Sequence, residues 1–248
     1  MEQLPADPVK GACWARQAAS RCHSAIGDRS PILDRRRILH RVRRPRRTLN
    51  DSSSTVTEME PIDALERATQ AYDQRLVAVA PRQWGQPSAC DGWTVKDLAD
   101  HVLGGNRFAV ALLSGATAED AFAYALEGGF DADPVALTRE SADAQLEAFA
   151  RPGALDRTTH HPEGDIDGAA FLRLRIGDLL LHGWDLAHSV GGDQSMDDEL
   201  VAIVWDTYRS RGDHLQSGAF GAGPSGAVAS DAPLAIRLLD LTGRWPKR

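Results

Sequence analysis

Apolar residues recur every three to four positions through most of the chain after residue 60, and that period predicts helices. "PIDALERATQAYDQRLVAVA" (61–80) places Ile62, Leu65, Ala68, Leu76 and Val79 at helical spacing. Pro61 suits its first turn and Pro81 ends it. "DGWTVKDLADHVLGGNRFAVALL" (91–113) opens with Thr94 and Asp97 three apart, a capping-box pattern with Asp in place of Glu or Gln. Val95, Leu98, Val102, Ala109 and Leu113 continue that helix. A third helix fits 134–150, a fourth about 168–190 with Gly191-Gly192 as its stop, and a fifth roughly 196–215. "RTTHHPEGDIDG" (157–168) reads as a loop or short hairpin, and "APLAIRLLDLTG" (232–243) as a short terminal helix. Alternating strand patterns are nearly absent. The fold class is all-α, a four-helix bundle with additional short helices.

The fourth helix holds the chemistry. Leu172, Ile176, Leu179, Gly183, Leu186 and Val190 form one apolar stripe, whereas Asp178, His182, Asp185 and Ser189 share the opposite side. A solvent face would account for those polar groups, but Phe171, Leu174 and Leu181 flank them. In the second helix His101 shares a face with Leu98, Gly105, Phe108 and Leu112. Asp178 and His182, four apart, point the same way and need a partner: another side chain, solvent or a metal ion. A further ligand from a neighbouring helix would complete a three-ligand site with an open position, the catalytic rather than the structural pattern for zinc. A hydrogen-bonded pair is the alternative. Asp185, one turn past His182, is either an orienting partner for a ligating imidazole or a surface acid. Arg175 or Arg173 could orient a substrate carboxylate, and each is otherwise a helix-surface residue. Trp93 and Trp184 wall the site or the core, and Cys90 reads as a half-buried structural thiol.

Composition narrows the class. Of the 248 residues, 42% are hydrophobic, and no stretch is apolar enough to span a membrane. Residues 1–60 carry 12 Lys/Arg against 7 Asp/Glu, and 61–248 carry 16 against 28. The acidic body lacks the electrostatic footprint of a nucleic-acid binder. Cys13, Cys22 and Cys90 make no CxxC pair, so a cytoplasmic, disulfide-free protein is expected. The arginine- and serine-rich stretch 34–55 could be a basic arm or resemble a transit peptide. The simplest expectation is a disordered basic leader over 1–58, Met59 being a natural start for a helical domain spanning 59–248.

Three motifs carry a family resemblance. "GWTVKDLADHV" (92–102), "RIGDLLLHGWDLAHSVG" (175–191) and the closing "DAPLAIRLLDLTGRWP" resemble, in order, the DinB-like metalloproteins, in the branch related to mycothiol-dependent maleylpyruvate isomerase. The resemblance implies a DinB-like bundle in which His101, Asp178 and His182 hold a divalent metal, zinc by family likeness. Iron, nickel or manganese would also suit two histidines and a carboxylate. It further implies a small thiol such as mycothiol as cofactor and a small electrophilic substrate, in S-transfer or isomerisation. The alternatives are a non-catalytic metal-binding scaffold and a zinc-dependent hydrolase. A protein fourth ligand, such as His160 or His161, would close the open position and argue against an enzyme. The isomerase carries a further C-terminal domain that the residues after 215 are too few to supply, and Asp178 is a methylene shorter than the Glu common there. These two departures weigh against isomerisation of maleylpyruvate itself more than against the metal site. A homodimer is compatible with such a bundle.

Overall fold

The helix starts follow their capping chemistry. In this structure, a computed structural model, residues 59–126, 133–162, 164–211 and 223–244 are described. Helix α1 (Pro61–Val77) begins on its proline. Helix α2 (Val95–Leu113) begins on the expected box, in which Thr94 Oγ1 accepts from the Asp97 amide (3.1 Å) and Asp97 Oδ2 from the Thr94 amide (2.8 Å). A short helix, α3 (Ala118–Leu126), follows, which apolar periodicity did not pick out. Its own start signal is present, since Thr117 Oγ1 accepts from the Asp120 amide. Asp133 caps α4 (Pro134–Phe149), and Asp167 caps α5 (Gly168–Val190). Between those two helices the ambiguous stretch is a hairpin, β1 (Thr158–His161) paired antiparallel to β2 (Gly164–Asp167).

Helix α5 ends at Gly191, whose φ of 70° is the left-handed cap that glycine adopts without strain. Helix α6 (Asp198–Arg209) is shorter than its expected 196–215. Asp197 caps its start, and Ser210, whose hydroxyl bonds back to the Asp206 and Thr207 carbonyls, stands at its end. Helix α7 (Leu234–Leu241) is the terminal helix. The leader expected over 1–58 lies outside the described residues.

The four long helices α1, α2, α4 and α5 form the bundle: α2 packs on α4, and α1 on both α5 and α4. Helix α3 covers α2, and α6 lies against α5 and α7. Helix α5 is thereby enclosed, with 15 of its 23 residues buried, so it has no continuous solvent face. Gly177 permits this enclosure, whereas Gly183 is in ordinary contact with α1. At Gly177 a β-carbon would come within 2.5 Å of the Tyr208 ring of α6, and Gly183 lies against Tyr72 of α1. The loop after α1 straps the end of α5. Gln83 Nε2 donates to the Val190 carbonyl, Gln86 Nε2 to the Ser189 carbonyl, and the Ala89 amide to Ser189 Oγ. Those bonds bring Cys90 and Trp93 over the polar side of α5. None of the described helices is long and apolar enough to cross a membrane.

Candidate metal centre

Helix α2 presents His101 and α5 presents Asp178 and His182 to one point, where their ligand atoms lie within 4.8 Å of one another. Asp178 Oδ1 stands 3.4 Å from His101 Nε2 and 3.3 Å from His182 Nε2. Both separations are long for N–H···O hydrogen bonds, which centre near 2.9–3.0 Å. They match the roughly 3.3–3.5 Å that separates two donors bound at about 2.0–2.2 Å to one tetrahedral zinc. The residues therefore fit a divalent ion in donor type and in spacing. Side-chain exposures of 12%, 22% and 11% for His101, Asp178 and His182 leave the cluster a narrow opening, widest at Asp178.

Each face turned away from that point is held. Asp178 Oδ2 accepts from Arg175 Nη1 at 2.5 Å, which leaves Oδ1 directed at the imidazoles. Arg175 is itself buried. Its Nε donates to Gln145 Oε1 (2.7 Å) and its Nη2 to Asn106 Oδ1 (2.9 Å). Asn106 Nδ2 donates onward to Ser141 Oγ, so α2, α4 and α5 share one polar network beneath the centre. Gly105 makes room for it, because a β-carbon there would stand 2.4 Å from Arg175 Nη1. His182 Nδ1 lies 2.9 Å from Asp185 Oδ2, so the ring donates outward from Nδ1 and turns Nε2 inward. Arg244 forks onto Asp185, with Nε 2.9 Å from Oδ1 and Nη2 2.9 Å from Oδ2. Trp93 lies over both imidazoles, its ring centroid 5.1 Å from that of His101 and 6.4 Å from that of His182.

The electrostatics follow from this packing. Burial opposes the charged form of Asp178, but Arg175 and the two histidines outweigh it and hold the carboxyl well below its usual range. Burial likewise opposes charge on Asp185, and Arg244 and His182 reverse the balance. Burial lowers His101, with Asp178 offsetting part of the effect. For His182 the burial penalty is overcome by Asp178 and Asp185 together, so this imidazole is held well above its ordinary value.

The remaining candidates fall elsewhere. Arg173 is exposed. His160 pairs with Asp165 on the hairpin surface, and His161 packs between Phe108 and Phe171. Trp184 stacks on His188 away from the centre. Among the described residues, no fourth His, Cys, Asp or Glu joins the His101–Asp178–His182 group. Cys90, half-buried, forms a neighbouring group with His182 and Asp185, its Sγ 3.6 Å from Asp185 Oδ2. Both oxygens of Asp185 already face Arg244 and His182, so that second group is a hydrogen-bonded set rather than a cation site. Sequence reasoning gave no role to Gly105, Asn106, Gln145 or Arg244. Of these only Arg244 sat in a motif that carries the family resemblance, and nothing local to that motif points to Asp185, which is 59 positions away.

Residues 65–187 match the mycothiol maleylpyruvate isomerase N-terminal domain family. Two Mycobacterium tuberculosis proteins described as uncharacterized, MT0763 of strain CDC 1551 and Rv0738 of strain H37Rv, are each 34% identical over 147 residues. The match covers 58% of this chain and 74% of each relative. A crystal structure of the mycothiol-dependent maleylpyruvate isomerase shares the fold, with a TM-score of 0.55 at 17% identity over 74% of this chain and 88% of that one. The all-α bundle, the matched domain and these relatives agree, and the chain belongs to the mycothiol maleylpyruvate isomerase N-terminal domain family.

Proposed function

We propose that this chain is a zinc-type metalloenzyme that uses a small thiol of the mycothiol class to carry out isomerisation or S-transfer on a small electrophile. His101, Asp178 and His182 would hold the ion. The observation that carries this reading is the convergence of two imidazole nitrogens on one carboxylate oxygen, each at tetrahedral-edge spacing from it, with no fourth His, Cys, Asp or Glu beside them among the described residues. Family membership supports the thiol.

A divalent ion bound there supplies positive charge that favours the thiolate form of a small thiol near neutral pH. The protein's own residues prepare for that anion. Around the centre the charges of Asp178 and Asp185 are balanced by Arg175 and Arg244, so the ion's charge would be left for an incoming anionic group. Asp185 fixes the orientation of the His182 ring, and Arg175 keeps Asp178 presenting one oxygen. The Trp93 indole covers the imidazoles and limits water on that side. Arg175 spends donors on Gln145, Asn106 and Asp178, which supports a role behind the ligands in preference to one on a substrate carboxylate.

Metal content of the full chain, measured beside His101→Ala and His182→Ala, tests the first half. One equivalent in the parent and little in either variant is expected, and a metal-free parent after zinc loading overturns the reading. Mycothiol added to the cobalt-loaded parent tests the second half. A sulfur-to-cobalt charge-transfer band is expected, and its absence removes the thiol while leaving the metal.

A further inference from the structure

We propose that Arg244 is a positioning residue for the metal centre, so that the C-terminal segment sets how tightly the ion is held. This rests on the reading of His182 as a ligand. The guanidinium grips both oxygens of Asp185, with Nε at 2.9 and 3.1 Å and Nη2 at 2.9 Å. Asp185 is 1% exposed and its Oδ2 also faces His182 Nδ1 at 2.9 Å. A carboxylate held at two points cannot rotate about its terminal bond, so its plane fixes the direction in which the imidazole must donate. Arg244, Asp185 and His182 thus form one chain ending at the Nε2 that faces Asp178 and His101.

The segment is built to deliver this group. Thr242 Oγ1 donates to the Leu238 carbonyl at the end of α7, and the Thr242 carbonyl accepts from Arg244 Nη1 (3.2 Å). Gly243, at φ 71°, reverses the chain, and the Arg244 amide closes the turn on the Leu239 carbonyl. Threonine, glycine and arginine of "LTGR" each therefore have a separate task in aiming one guanidinium at α5. Docking of the segment does not depend on that guanidinium. Leu238 and Leu239 are buried in the core, Arg237 lies 4.5 Å over the Trp205 ring, and Asp240 accepts from Ser225. An arginine that only anchored α7 would add to contacts already made.

The test is zinc affinity, by competition with a chromophoric chelator, of the full chain and of Arg244→Gln, Arg244→Lys and Arg237→Ala. Arg244→Gln is expected to weaken binding 10- to 100-fold, the range seen when a partner behind a ligating histidine is lost. The visible spectrum of the cobalt form should shift with it. Arg237→Ala, which removes a cation from the same segment, should bind as the parent does. Should Arg244→Gln not fold, Arg244→Lys takes its place, since it keeps the counter-charge while losing the two-point grip. Its affinity should fall at least several-fold. Parent-like affinity and spectrum in a folded Arg244 variant overturn the proposal and leave the metal site standing. A parent that binds no zinc fails the earlier reading instead.

Discussion

Gly105→Ala is the sharpest test of the network beneath the centre. An alanine β-carbon would sit 2.4 Å from Arg175 Nη1 and 2.9 Å from both Cζ and Nη2, where ordinary contact begins near 3.4 Å. The guanidinium must retreat by about 1 Å, and it is enclosed, with Arg175 only 6% exposed. The bonds at risk are Nη1 to Asp178 (2.5 Å) and Nη2 to Asn106 (2.9 Å). Hydrogen bonds to charged groups contribute about 1.5–3 kcal/mol each. Losing most of one or two outweighs the gain of about 1 kcal/mol that alanine brings over glycine in a helix. The expected net loss is about 2 kcal/mol. Urea unfolding of the metal-free full chain reads it as a midpoint lowered by roughly 1 M, taking a slope of about 2 kcal/mol per M. Zinc affinity should drop as well, because Asp178 loses its backing. A variant that is unchanged or stabilised by about 1 kcal/mol, the bare propensity result, would refute the cradle.

Two further substitutions separate other parts of the argument. The glycines of α5 should respond oppositely to alanine. Gly177→Ala drives a methyl into Tyr208 and should destabilise by about 1–3 kcal/mol, whereas at Gly183 the nearest atom is 3.6 Å away and alanine should be neutral or stabilising by up to about 1 kcal/mol. Equal thermal shifts for the pair would sink that reading. His161, pushed down to about 4 by burial and then by the nearby Arg211 and Arg175 charges, should make the fold acid-sensitive. Its folded value lies below the ordinary 6.5, so the unfolded chain takes the proton first, and stability is lost as pH falls from about 6.5 towards 4. Relative to His161→Phe, the parent should lose on the order of 2–3 kcal/mol over that window, and parallel stability-against-pH curves would contradict it.

Legibility tracked locality. Helices α1, α2, α4 and α5 were readable because apolar period, caps and the Gly191 stop all lie within each segment. The pairing of Asp178 with His182 was readable because a four-residue spacing on a helix is itself a statement about space. Helix α3 is rich in alanine, which gives no sharp apolar stripe of the kind that made the leucine-rich α7 readable, although Thr117 marked its start. Gln145, Asn106 and Arg244 reach the centre across separations of 30, 69 and 59 positions, and only packing decides such contacts. Asp185 stood midway: its place one turn from His182 could be read, but its choice between solvent and imidazole depended on α6 covering α5 and on the turn after α7 delivering Arg244.

The enclosure of α5 also ranks the parts of the protein by how readily they open. Backbone amides escape to solvent through local fluctuations whose cost rises with the apolar contact that must be undone. The middle of α5, covered by α1 on one side and α6 on the other, belongs to the units that open last, and Asp178 and His182 ride on it. The loop between α1 and α2, mostly exposed or half-buried and tied to the end of α5 by a few hydrogen bonds, belongs to those that open first. Excursions of that loop can admit and release molecules while the donor atoms stay registered. Exchange of a bound partner and the precision of the site are thus carried by different segments of one chain.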